Sequence, residues 1–202
     1  MVDFYQLPRC KICNKNGKSI YSKSFNDEIL RFFFTTYYGE AKYKKFKNKL
    51  EATNYELLKC KECKFVWQKN VPNKNFSINL YENIIDNDQS LKKSKSKYHN
   101  QKNSTNKEIN KIIRNFNKEK INMLDFGAGW GHWLMSGSSS CYNSYAFELS
   151  PTRKHFLKSN GINVLNFDNI NQYENFFHYI RLDQVLEHLD EPNEVLKIIK
   201  KL

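Results

Sequence analysis

Three glycines at alternate positions, Gly127, Gly129 and Gly131, follow the short apolar run Ile121–Phe126. Strand formers that break into a glycine turn and lead on through His132-Trp133-Leu134-Met135, which can open a helix, are how α/β proteins hold a nucleotide-like ligand. Glycine serves there because it accepts positive φ and lets the backbone approach a ligand with no Cβ in the way. A dinucleotide fingerprint needs its third glycine where His132 stands, so the spacing points away from NAD. Two carboxylates fall at matching places: Glu148 near the end of a strand predicted over Ser144–Leu149, and Asp168 just after one predicted over Asn163–Phe167. The first can accept ribose hydroxyls and the second an adenine amino group. Each alone reads as a surface or capping residue; together, in register behind the glycines, they read as a binding site.

Four of the five cysteines form two C-x-x-C pairs, Cys10/Cys13 and Cys60/Cys63, with Cys141 left over. Two residues between cysteines let both thiolates of a turn converge on one ion, and two such knuckles complete a closed tetrahedral site with no open position for catalysis. A redox pair is the other chemistry this spacing serves. No secretory signal is legible in Met1–Leu7, so the expectation is a cytoplasmic protein and a structural zinc ion rather than disulfides.

The elements that must position these groups follow from periodicity. Glu40–Leu50 reads as a lysine-rich helix, Phe65-Val66-Trp67 as a strand packed on the metal site, and Phe76–Ile85 as a helix. Phe32, Phe33, Phe34, Tyr37 and Tyr38 serve either as a stacking platform for bases or sugars or, the favoured reading, as the small core that a zinc ribbon otherwise lacks. Residues 89–107 are Lys, Ser, Asn and Gln with almost no apolar side chains and are read as a polar linker. Ile109, Ile112, Ile113 and Phe116 recur at helical spacing. After the glycine turn the pattern alternates: the strand to Leu149, a helix capped by Ser150 with Pro151 first and Asn160-Gly161 last, the strand to Phe167, a strand over Tyr179–Leu182, and a helix from Pro192. Alternation of this kind calls for a parallel sheet. The fold expected is α/β: residues 1–88 a zinc-ribbon domain, 89–107 a linker, and 108–202 the first four strands of a Rossmann-like sheet.

Charge separates the two halves. The first 120 residues carry 26 Lys and Arg against 12 Asp and Glu, and the remainder 7 against 9. A basic half suits nucleic acid or an acidic substrate; an AT-rich coding composition produces the same bias. No apolar run is long enough for a membrane span.

LDFGAGWG (124–131), AFELSP (146–151), VLEHLDEP (185–192) and the paired cysteines before FVW resemble class I S-adenosylmethionine-dependent methyltransferases, in particular bacterial ones with an amino-terminal zinc ribbon. The resemblance implies that Asp125, Gly127, Gly129 and Gly131 hold the amino-acid part of S-adenosylmethionine, Glu148 its ribose and Asp168 its adenine. Asp183–His188 would line the pocket near the methyl group, with His188 the candidate general base. It implies a small-molecule acceptor, such as a sugar or cell-envelope intermediate, rather than nucleic acid. Three departures stand out. Phe177-His178 replaces the family's Phe-Asp. Arg181 puts a charge into a strand that should be buried, which either shifts that strand's register or takes the side chain into the pocket to pair with Asp183 or an acidic substrate group. Only four of seven strands can be placed before Leu202. The chain therefore reads as a truncated methyltransferase. A nucleic-acid-binding zinc module and a non-catalytic remnant are the competing readings.

Overall fold

All residues of Ile121–Phe126 (β6) except Asn122 are buried, so both faces of the strand are covered. Ile121 and Met123 enter one apolar cluster, Leu124 and Phe126 another. That is the pattern of a central parallel strand packed by helices on both sides. The computed structural model describes residues 3–51, 53–80, 87–137 and 140–202. It divides into two compact units, Met1–Asp86 and Asn87–Leu202.

In the second unit β6 is flanked by Tyr142–Phe147 (β7) and Tyr179–Leu182 (β9), with Asn163–Leu165 (β8) outside β7. The order β8-β7-β6-β9 is parallel throughout. Every chain turn that leaves these strands therefore lies at one edge of the sheet, and the order reverses beside β6, where α/β sheets place ligands. Ile109 and Leu157, from helices Asn87–Arg114 (α4) and Pro151–Ser159 (α5), cover one face. Val195, Ile198 and Ile199 of Pro192–Ile199 (α6) pack on the other. The caps of α5 are as expected: the Ser150 side chain accepts from Arg153 N–H, Pro151 opens the helix, and Gly161 follows with φ +75°.

Two expectations are corrected. Residues 89–107 are not a linker but most of α4. Its inward face is held by polar side chains four residues apart, so no apolar stripe betrays it. Ser90 Oγ accepts from Trp130 Nε1–H (3.0 Å), Ser94 Oγ bonds His132 Nδ1 (2.7 Å), and Tyr98 donates to Met135 carbonyl (3.2 Å). Nor does His132–Met135 open a regular helix: one 3-10 turn, Leu134–Ser136, is followed by extended Gly137. The Ser136 hydroxyl back-bonds to His132 carbonyl and Tyr142 donates to Leu134 carbonyl, which occupies the carbonyls a helix would use.

The first unit is built on an antiparallel sheet of Gly17–Ser24 (β2), Asn54–Cys60 (β3) and Val66–Gln68 (β4), beside the pair Phe4–Gln6 (β1) and Asn70–Pro72 (β5). Glu28–Tyr38 (α1) and Glu40–Leu50 (α2) fill the long spacer between β2 and β3. Phe34 and Tyr38 of the aromatic cluster pack on buried Phe25, Tyr43, Phe46, Leu50 and Phe76, whereas Phe32, Phe33 and Tyr37 are exposed. The favoured core reading thus holds for one side of α1. A short helix, Lys74–Asn79 (α3), covers part of the expected 76–85 helix, and residues 81–85 lie outside the described residues.

Ile109 is fully buried against Ile121, Tyr142 and Leu157. Ile109→Ala should cost the second unit about 2–5 kcal/mol in urea unfolding. A loss below about 0.5 kcal/mol, the size of a surface substitution, would contradict the packing of α4 on the sheet.

Candidate functional site

The glycine turn takes its shape from three positive-φ residues, Gly127 (+80°), Gly129 (+60°) and Gly131 (+72°). The outer two are packed: a Cβ on Gly127 would come within 2.4 Å of Val185 Cγ2, and one on Gly131 within 2.4 Å of Leu157 Cδ2. A Cβ on Gly129 would meet no atom of the described residues within 4 Å apart from its chain neighbours. The turn is thus anchored at both ends and open at its middle, a cradle for a ligand that approaches the backbone.

Glu148, beyond β7, holds the middle in place. Its Oε2 accepts from Gly129 N–H at 2.9 Å, and Oε1 accepts from Leu149 N–H (2.8 Å) and Ser150 N–H (2.9 Å). A carboxylate offers about four acceptor positions. Three are taken, so in this conformation one remains for a direct bond to a ribose hydroxyl, not the two that the sequence reading allowed.

Asp125, the penultimate residue of β6, is only 2% exposed. Strand register sets Arg181 of β9 directly opposite it, on the same face. Arg181 Nη1 lies 3.2 Å and 3.5 Å from the two Asp125 oxygens, and Nη2 lies 2.6 Å from Asp183 Oδ2. The guanidinium sits 5.0 Å from the centre of the Trp133 ring, which itself stacks on Tyr179. A charge in a strand interior is costly when unpaired; here it is paired twice. Burial pushes the Asp125 carboxyl up, Arg181 pulls it back, and nearby Asp183 and Glu148 add to the rise, leaving it at about 6. Trp133 Nε1–H is buried with no partner among the described residues.

The other expected site residues are less enclosed. Asp168 is exposed in the turn after β8, its N–H bonded to Asn166 Oδ1. His188 is exposed in the 3-10 turn Leu186–His188, its N–H bonded to Val185 carbonyl. The structure therefore joins Asp125 to Asp183 through Arg181 and Gly129 to Glu148 by a backbone bond, with Glu148 close enough for its charge to act on Asp125. Asp168 and His188 share only the sheet edge with them. Arg181 pairs with Asp183 as the sequence suggested, but its second partner and two further groups went unnoticed. Arg181's pairing with Asp125 depends on register; Ser94 and Trp133 carried no signal beyond spacing.

In the first unit the four thiol sulfurs of Cys10, Cys13, Cys60 and Cys63 lie within 4.8 Å of one another, with three pairs at 3.5–3.6 Å. A tetrahedral zinc–thiolate site has bonds of about 2.3 Å and hence sulfur–sulfur edges near ~3.8 Å. The cluster has the dimensions of a metal site. Both knuckles turn alike, with Asn14 (φ +57°) and Lys64 (φ +66°) each four residues after the first cysteine. Cys10 and Cys60 are buried against Leu58 and Trp67.

Residues 98–202 match the family model for a methyltransferase domain. The match takes in more than half of the chain, which belongs to this family. It begins within α4, so Ser90 and Ser94 precede it. A search of curated proteins finds no match. No described helix is long and apolar enough to cross a membrane.

The packing around the glycines separates their roles. Gly131→Ala forces a Cβ into Leu157 and should lower stability by about 2 kcal/mol or more through strain and overpacking. Gly129→Ala meets only the positive-φ cost of about 1–2 kcal/mol. Thermal unfolding of the two variants checks the order, and equal losses would contradict it.

Proposed function

We propose that the second unit binds S-adenosylmethionine at the glycine turn and transfers its methyl group to a small-molecule acceptor, a sugar or a cell-envelope intermediate being the class the sequence resemblance favours. The observation that carries this reading is the open cradle before Gly129, flanked by the buried carboxylates of Asp125 and Glu148. An amino acid joined to a nucleoside presents an ammonium group and ribose hydroxyls, which are the donors that two such carboxylates would receive. When bound, this cofactor supplies a methyl group already activated on a sulfonium, so the protein's work is positioning and proton removal.

Each residue then has a defined task. Gly127, Gly129 and Gly131 allow close backbone approach, Asp125 receives the ammonium, Glu148 a ribose hydroxyl, and Asp168 the adenine amino group. Asp183 helps line the pocket and, with Asp125, fixes Arg181. His188 is the candidate base for the acceptor's proton, its exposure leaving it free to meet an incoming substrate.

For the first unit we propose a structural zinc ion on Cys10, Cys13, Cys60 and Cys63. Four thiolates leave no position for water or substrate, so the ion's role is to tie the two knuckles together.

Calorimetry should show one S-adenosylmethionine site in the range of about 1 μM–1 mM typical of enzyme ligands. Glu148→Ala should weaken it about five- to 150-fold, since a buried hydrogen-bonding partner is worth about 1–3 kcal/mol. Folded wild-type protein that binds none would reject the assignment. Metal analysis should find one zinc per chain, lost in Cys10→Ser. Metal-free protein with an unchanged first unit by circular dichroism would reject the structural role.

A further inference from the structure

We propose that Arg181 is a positioning residue for the cofactor, holding the Asp125 carboxylate charged and aimed so that it can receive a cationic amine. The inference rests on the reading of the glycine turn as an S-adenosylmethionine site and goes beyond it by assigning a residue that touches Asp125 rather than the ligand.

The geometry is asymmetric. Arg181 is held tightly at its outer end, with Nη2 2.6 Å from Asp183, and loosely at its inner end, where one nitrogen reaches both Asp125 oxygens at 3.2 Å and 3.5 Å. Charge-assisted bonds of this kind usually close to about 2.7–2.9 Å. No other side-chain hydrogen bond to the Asp125 carboxylate is found among the described residues, although it is 2% exposed. A carboxylate that is both buried and under-bonded keeps acceptor capacity for a further donor. Asp183 anchors the guanidinium on one side and the Trp133 ring covers it at 5.0 Å. Arg181 is thus shared between two carboxylates and does not saturate Asp125. A pair built only for stability would be expected to close the inner contact.

The charged and titratable groups around this pair come from several elements. Tyr179 and Arg181 belong to β9, Asp183 follows it, and Glu148 follows β7; all influence Asp125 or are influenced by it. His132, beyond the glycine turn, feels both Arg181 and Lys97 of α4, and its imidazole is pushed down first by burial and then by those cations. Only Arg181 opposes the rise in Asp125, so its loss leaves burial, Asp183 and Glu148 acting together.

The test uses the full chain and two readouts. The Asp125 carboxyl is followed by carbon-13 NMR against pH without cofactor, and S-adenosylmethionine affinity is measured by calorimetry from pH 5.5 to 8.5. In wild type the carboxyl should titrate near 6, with affinity flat above neutrality and falling below it. In Arg181→Gln both midpoints should move up by about one to three pH units, the effect of a nearby opposite charge. Affinity at pH 7 should then fall about tenfold for each unit by which the new midpoint exceeds 7. Arg181→Lys, which keeps a cation but cannot bridge two carboxylates, should give a smaller upward move and covers the case in which the Gln variant does not fold. Unchanged midpoints in the folded variants overturn the proposal. Wild-type protein that binds no cofactor at any pH overturns the reading of the turn, and with it the cofactor role of Arg181. The carboxyl titration, run without cofactor, still reports separately whether Arg181 holds Asp125 charged.

Discussion

The carboxylate of Glu148 bonded to the Gly129 N–H is the contact on which the second unit's site depends. A turn with three positive-φ glycines has many alternatives and little side-chain packing of its own. Val185 and Leu157 crowd its ends, Ala128 N–H bonds the Phe147 carbonyl, and the bond to Glu148 is the side-chain contact that fixes Gly129. The same carboxylate caps the chain as it leaves β7, through Leu149 and Ser150 N–H. One side chain thus joins the ends of two neighbouring parallel strands and keeps the space between them open.

Keeping that space lined with charge is unfavourable for folding. Asp125 has a folded-state pKa near 6 against an ordinary 3.8, so the folded state holds its proton more tightly than the unfolded state. Its contribution therefore lowers stability as pH rises from about 4 to 6, a loss of roughly 3 kcal/mol that persists at neutral pH. Two-sided packing of β6 and β7 offsets this. Stacked Phe126 and Phe147 lie one residue below the turn on the opposite face of the sheet. The first unit meets a related problem by clustering thiols on two like knuckles, with α1 and α2 of the spacer packed with Phe76 of α3 into a small aromatic core.

Much of this was legible in the amino-acid sequence, and the reasons differ by element. β6 announced itself as a short, mostly apolar run before the glycines, and α5 because Ser150, Pro151 and Gly161 each mark a helix end; β7, whose first half is the polar-containing Tyr142-Asn143-Ser144, was expected two residues late at Ser144–Leu149. α2 and β9 matched their expected bounds. α4 was hidden because Ser90, Ser94 and Tyr98 meet polar atoms of the segment after the glycine turn, so an inward face was written in polar letters. The missing helix after Gly131 reflects competition from side-chain hydroxyls for backbone carbonyls. Of Arg181's two partners, Asp183 lies two residues on and was legible, whereas Asp125 lies 56 residues earlier, and pairing across parallel strands is set by register, which local pattern does not encode. Membership of the methyltransferase-domain family agrees with the motifs read around the glycines.

If S-adenosylmethionine binds at the glycine turn, the turn's own amides must sense it. Amide resonances of the isotopically labelled protein, titrated with S-adenosylmethionine, locate that contact without reference to turnover. Gly127, Gly129 and Gly131 should shift in a saturable way together with Glu148 and Leu149, all with one dissociation constant. Saturable shifts elsewhere, with the three glycines unmoved, would contradict it.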